Sequence, residues 1–256
     1  MNVLDRDLRY ALSPVELFTD AVGIPDKFQA DILNGLLDEN APRRSLLLAS
    51  RQSGKSEVCA CCALWTARFL PGSLTLLLSH SLRGSAELFR KVADQFHKTG
   101  GSEEGAIQES TLRLELKNKS RVISLPATQS TIRGYSGMDL CLLDEAAQIE
   151  DGMVHALLPS AATRPASRLF AMSTPHGRRG WFFNEWDHGE GYARYEVAAK
   201  DVSRISAEFL SQQLATLGPY VFAQEYENCW QENDMRLIAS DLVAAAMVDT
   251  GERPFW

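Results

Sequence analysis

Four short runs of the chain are apolar at almost every position and then stop on polar residues. Leu46 to Ala49 stops at Ser50, and Leu74 to Leu78, broken only by Thr75, runs on to Ser79. Leu140 to Leu143 stops at Asp144-Glu145, and Leu169 to Met172 stops at Ser173-Thr174-Pro175. Short continuous apolar runs predict strands buried on both faces. Helical spacing fills the gaps between them. Residues 57–69 read as a helix closed by Pro71-Gly72, and residues 83–98 as an amphipathic one with Leu88, Phe89, Val92 and Phe96 on one side. Strict alternation over Thr111 to Leu116, a turn at Asn118-Lys119-Ser120 and a second run Val122 to Leu125 predict a half-exposed β-hairpin. One or two helices precede Gly23, with a start at Ser13-Pro14, and another begins near Pro25 and is broken by Asn40-Ala41-Pro42. Helices are expected near 151–160 and 180–187, and a strand over Tyr192 to Ala198.

Buried strands alternating with helices predict an α/β fold with a mostly parallel central sheet flanked by helices. In such sheets ligands sit outside the carboxyl ends of the strands. Three polar strand ends fall there: Ser50–Ser56, Asp144-Glu145 and Ser173-Thr174. Beyond Val202 the pattern turns helical. Ser206 caps a stretch holding Phe209, Leu210 and Leu214, Gly218-Pro219 breaks it, an aromatic-rich segment runs from Tyr220 to Trp230, and Ser240-Asp241 caps Leu242 to Met247. The expected division is a core over residues 1–200 and a small helical subdomain over 201–256.

The chain of 256 residues carries a formal net charge of −7, so its mean field repels phosphates. Any nucleic acid would be held by a local patch or within a larger assembly. Five cysteines, at 59, 61, 62, 141 and 229, match no zinc spacing and read as buried thiols in a reducing compartment. The charged N-terminal residues do not form a signal peptide, and no apolar run approaches the ~20 residues of a membrane span.

The chemistry begins where the first apolar run ends. Ser50-Arg51-Gln52-Ser53-Gly54-Lys55-Ser56, between a strand and a helix, matches the P-loop pattern GxxxxGK(S/T) except that Ala49 stands at the first glycine. In that geometry the loop amides and the helix dipole cradle a polyphosphate, Lys55 reaches the β- and γ-phosphates, and the Ser56 hydroxyl ligates Mg²⁺. Asp144, at the end of a buried strand, would hold the Mg²⁺ shell through water. Glu145, pointing the other way, would orient and deprotonate a water for in-line attack. The bland alternatives are a solvated lysine turn and an exposed acidic strand end.

This set resembles the ATPase domain of the large terminase subunit of tailed double-stranded DNA phages, an ASCE-type P-loop NTPase. PDKFQADIL at 25–33 resembles its adenine-binding Q motif, SRQSGKS its variant Walker A (49–56), TIRGYSGMDLCLLDEAAQ at 131–148 the arginine–glycine segment leading into Walker B (140–145), and AMSTPHG at 171–177 the coupling motif (172–175). The resemblance implies that Gln29 reads the adenine edge with Phe28 beside it. It implies that Ser50, Arg51, Gln52, Ser53, Gly54, Lys55 and Ser56 wrap the nucleotide. It also implies that Ser173 and Thr174, on a strand between the Walker A and Walker B strands, sense the γ-phosphate and relay hydrolysis to DNA grip. Arg133 would be an arginine finger, within its own subunit or, as the resemblance favours, supplied to a neighbouring one, or else a structural arginine pairing with Asp139 or Asp144. Arg51 would contact the γ-phosphate, pair with Glu145 in the empty site, or cover the loop.

The implied activity is Mg²⁺-dependent ATP hydrolysis driving double-stranded DNA into a procapsid, in the host cytoplasm and not in the mature virion. The implied partners are a homomeric ring, pentameric by family, with a portal protein and a small terminase subunit. Arg178-Arg179 with Trp181, or Lys117, Lys119 and Arg121 on the hairpin, are candidate DNA contacts, against the plainer reading of solvated charge. His176 is not expected to bind metal. Full-length large terminases also carry an RNase H-like nuclease, for which no length and no carboxylate cluster remain here. Two rivals stand. A RecA-like helicase or remodelling ATPase would need a second α/β lobe. A nucleotide-gated ring-assembly module without turnover would have no use for Glu145.

Overall fold

The computed structural model describes residues 3–101, 105–128, 132, 134–162, 164 and 166–232. The chain enters through three helices, α1 (Val3–Leu12), α2 (Pro14–Ala21) and α3 (Lys27–Asn34). Ser13 caps α2 by accepting the Glu16 N–H, with Pro14 at the first helical position where its missing N–H costs nothing. The strands are β1 (Arg44–Ala49), β2 (Leu74–Ser79), β3 (Ala106–Glu109), β4 (Arg113–Leu116), β5 (Arg121–Pro126), β6 (Leu140–Asp144), β7 (Arg168–Ser173) and β8 (Tyr192–Val197). Five further helices are α4 (Lys55–Phe69), α5 (Leu82–Lys98), α6 (Asp151–Ala162), α7 (Gly180–Asp187) and α8 (Ala207–Tyr226).

The eight strands form one sheet in the order β3-β4-β5-β2-β6-β7-β1-β8. From β5 to β8 every neighbouring pair is parallel, and only the β3-β4 and β4-β5 pairs are antiparallel. The expected mostly parallel α/β sheet is therefore what forms, with β7 between β6 and β1 as the family resemblance implied. Alternate residues of the apolar strands feed two cores. Leu47, Ala49, Leu77, Leu142 and Met172 meet α1 to α5 on one face. Leu46, Leu48, Leu76, Cys141, Leu143 and Ala171 meet Met153, Leu157, Trp181 and Phe182 on the other. Helix α4 is buried at every position from Val58 to Arg68, which is why it carries no polar stripe and why Cys59, Cys61 and Cys62 are buried thiols. Burial pushes the Cys62 thiol up to about 12, so these thiols stay protonated and inert.

One expectation is corrected. The hairpin is not half exposed: β5 pairs with β2 and is buried at Val122, Ile123 and Ser124, so the alternation visible in β4 does not extend to it. Strand β3, with only Ala106 partly shielded and the rest exposed, was not foreseen, because an exposed edge strand has no apolar pattern. Gly218 departs from helical geometry at φ 75° and ψ 163°, so the expected break at Gly218-Pro219 is present, between two helical stretches that α8 spans. The expected helix at Leu242 to Met247 lies outside the described residues. No helix among the described residues is long and apolar enough to cross a membrane.

Candidate active site

Parallel register brings four strand ends to one edge. Ser79 pairs with Asp144, Asp144 with Met172, Leu48 with Ser173, and Ala49 with Val197. Along that edge the chain presents His80, then Asp144-Glu145, then Ser173-Thr174, then the loop from Ser50 to Ser56.

The loop turns because Gln52 and Gly54 adopt left-handed backbone, at φ 62° and 88°. Ser53 closes it, donating both its N–H and its hydroxyl to the Ser50 carbonyl. Gly54 then caps α4. A Cβ at Gly54 would come within 2.8 Å of Gln29 Nε2 and 3.1 Å of Arg204 Nη2, both ends of flexible side chains, and it is the left-handed backbone at φ 88° that favours glycine here. Among the described residues no protein acceptor serves the amides of Gln52, Gly54, Lys55 and Ser56. These are the orphan donors that a helix N-terminus offers to an anion.

Lys55 follows. Burial lowers its pKa, opposed by the charges of Asp144, Glu145 and Glu225. Burial pushes Asp144 up to about 6, with Lys55 pulling it back and Glu145 adding to the rise. Asp144 Oδ1 accepts the Glu145 N–H at 2.9 Å. Glu145 itself is left-handed, at φ 52° and ψ 43°, which swings its side chain off the strand direction. Its carboxylate meets His80 Nδ1 at 2.8 Å. His80 was not among the residues singled out in the sequence. The signal for it is its place immediately after an apolar strand.

Several expected residues are placed differently from their expected roles. Gln29 is buried, and each end of its amide has one partner: Oε1 accepts the Asp26 N–H at 2.9 Å and Nε2 donates to the Gly54 carbonyl at 3.2 Å. It splints α3 to the loop. Phe28 packs against the core and lines a cavity of about 420 Å³ with Asp26, Asp31, Arg194 and Tyr195. Arg51 does not pair with Glu145. Its Nε donates to Glu225 Oε2 at 2.6 Å. Ser173 is buried and its Oγ accepts the Ala147 N–H at 3.2 Å, so it holds the turn after Glu145 rather than facing the loop. Thr174 is partly exposed beside it. Arg133 lies outside the described residues. Of the two acids offered as its structural partner, Asp139 already accepts from Arg164 and from the Leu74 N–H.

The two candidate basic patches are on opposite edges of the sheet. The hairpin turn packs under α4, where Asn118 donates to the Ala67 and Arg68 carbonyls, far from the loop. Arg178 and Arg179 are exposed just after β7, on the same edge as the loop. His176 is exposed, and among the described residues no group of three His, Cys, Asp or Glu side chains could hold a metal ion by itself. The oxygen donors present, Ser56 and Asp144, fit a hard cation that also takes phosphate and water oxygens.

Among solved structures, the large terminase ATPase domain of Thermus phage P74-26 aligns with TM-score 0.69 and 20% identity over 86% of this chain and 99% of that one. The large terminase of bacteriophage HK97 aligns with TM-score 0.70 and 15% identity over 86% of this chain and 55% of that one. The large terminase of a thermophilic bacteriophage in complex with ADP aligns with TM-score 0.63 and 14% identity over 80% of this chain and 53% of that one. The chain thus spans all but 1% of an isolated terminase ATPase domain and about half of the longer terminases. No curated protein matches the sequence. The family model described as RNA cytidine acetyltransferase NAT10/TcmA, helicase domain, matches residues 46–180, just over half of the chain, from β1 through the P-loop and the acidic strand end to β7. The chain therefore belongs to the NAT10/TcmA helicase-domain family, in the P-loop NTPase fold of phage large terminase ATPase domains.

Proposed function

We propose that this chain is a Mg²⁺-dependent ATPase and that it works as the motor domain of a terminase, driving double-stranded DNA into a viral procapsid. The observation that carries the reading is one strand edge holding an open amide cradle, a lysine at its base and an adjacent pair of acids. The cradle and Lys55 bind and neutralise the phosphates. Ser56 and Asp144 would hold Mg²⁺, which would supply charge neutralisation of the phosphates. Glu145, held by His80 at its carboxylate and by Asp144 at its N–H, orients the attacking water and takes its proton. Arg133 is assigned as a finger acting across a ring of identical subunits. Portal and small-subunit partners follow the terminase reading. Arg178 and Arg179, on the nucleotide edge, are preferred over the hairpin lysines as the DNA contact.

A second reading is favoured by the family match, which names a helicase domain. The same site would then power remodelling of RNA or DNA duplexes. Steady-state hydrolysis by the purified chain, with linear double-stranded DNA or with structured RNA added, tests both. Stimulation by duplex DNA is expected under the motor reading, and stimulation by RNA under the second. Glu145→Gln is expected to lower kcat by ~10²-fold or more while nucleotide still binds. Lys55→Ala is expected to lose binding. Unchanged turnover in Glu145→Gln would remove the catalytic assignment.

A further inference from the structure

Glu225 lies in the last turn of α8, separated from Arg51 by 174 positions, and no motif marks it. Its side chain is 13% exposed, against 66% for the arginine it binds. The contact is double. The Arg51 N–H donates to the Glu225 carbonyl at 2.9 Å, and Arg51 Nε donates to Glu225 Oε2 at 2.6 Å. The first bond satisfies one of the orphan carbonyls at the end of a helix, and the second puts a cation at the negative end of its dipole. Glu225 also acts electrostatically on Lys55, favouring its charged form. One carboxylate therefore addresses both cations of the loop.

The chain around Glu225 is tied to the same place. Asn228 Nδ2 donates to the Leu48 carbonyl at 3.4 Å, in the strand that leads into the loop. Trp230 sits against Phe182 and Phe183 of α7, at 6.1 and 5.0 Å between ring centroids. The end of α8 is thus docked on the phosphate loop through the loop's own arginine.

We propose that Glu225 stands in for the terminal phosphate of a nucleoside triphosphate. In the structure it holds Arg51. A γ-phosphate, with more negative charge and three acceptor oxygens in reach of a guanidinium fork, outbids it for Arg51. The displaced carboxylate then faces phosphate of like charge, and the last turn of α8 leaves the loop. A diphosphate lacks the competing group and leaves the latch shut. Glu225 is a positioning residue for Arg51, and α8 is the element whose docking reports the third phosphate. This rests on the nucleotide-site reading above and deepens it.

The test measures binding of ADP and of a non-hydrolysable ATP analogue to the full chain, with hydrogen exchange over residues 221–228. In the unaltered chain, exchange there is expected to rise with the triphosphate analogue and not with ADP. Glu225→Gln is expected to tighten the triphosphate analogue by about fivefold or more, to leave ADP within about twofold, and to show fast exchange without nucleotide. Arg51→Ala is expected to abolish the triphosphate-dependent change in exchange, and it keeps the inference testable if Glu225→Gln folds poorly. An unchanged ratio of triphosphate to diphosphate affinity in Glu225→Gln, or equal protection of α8 with both nucleotides, would overturn the inference. Failure of the unaltered chain to bind ADP would be a distinct result that overturns the nucleotide-site reading and this inference with it.

Discussion

Asp144 gives the site a pH dependence whose direction is fixed by its surroundings. Its carboxyl is pushed up to about 6 by burial, so below that pH it carries a proton and ligates a cation poorly. Mg²⁺-dependent tightening of nucleotide binding is expected to be complete near pH 7.5 and to fall about tenfold for each pH unit below ~6. Calorimetric titrations with and without Mg²⁺ check this, and Asp144→Asn is expected to show little metal-dependent tightening at any pH. Gly54 makes a second residue-scale prediction. Gly54→Ala combines left-handed backbone with a 2.8 Å approach to Gln29, and a loss of ~1–3 kcal/mol in stability together with nucleotide binding is expected. Thermal melts and ADP titration measure both. At this scale the sequence showed residues that act through local spacing. Gly54, Lys55, Ser56, Asp144 and Glu145 are named by the strand-turn-helix and apolar-run patterns alone. Arg204 and Glu225 reach the loop from the far end of the chain, and His80 reaches Glu145 from the end of the neighbouring strand β2. Nothing in linear spacing marks such partners. Gln29 shows the converse, since its place in a motif was legible while the burial of its amide was not.

Elements carry the link between the acidic strand end and the rest of the molecule. Strand β7 lies between β1 and β6, and its terminal Ser173 accepts the Ala147 N–H, which fixes the short helical turn that follows Glu145. Ser173→Ala removes the acceptor without adding volume at this buried position. It is expected to destabilise by ~1–3 kcal/mol, because a buried N–H is left unpaired, and to lower kcat more than it weakens nucleotide affinity. A KM and kcat comparison separates that outcome from a direct phosphate contact, which would weaken affinity. The buried strands were legible because a strand covered on both faces must be apolar throughout. The edge strand β3 was not, because Ile107, Gln108 and Glu109 answer mainly to solvent. Helix α8 was legible through its Ser206 cap and through its interruption at Gly218, where Gly-Pro chemistry is written in the local sequence.

For the whole molecule, the parallel register places the candidate nucleotide site on one edge and the hairpin turn on the opposite one, so substitutions at the two edges are expected to separate functionally. Arg178→Glu with Arg179→Glu is expected to reduce nucleic-acid stimulation of hydrolysis while basal turnover changes less than about twofold. Lys117→Glu is expected to leave stimulation intact. Arg133 is tested between subunits. Mixing Arg133→Ala chains with Lys55→Ala chains is expected to restore hydrolysis at intermediate ratios if the finger acts in trans, and no recovery at any ratio would assign it to its own subunit. The left-handed backbone of Glu145 has a further consequence for the molecule as a folding unit. A side chain held at φ 52° is conformationally costly, and glycine is free of that cost. Glu145→Gly should therefore be an inactive protein that is harder to unfold, by up to ~1 kcal/mol or a few degrees in Tm. Selection for stability alone would remove the glutamate, so its retention would have to be maintained by the work it does.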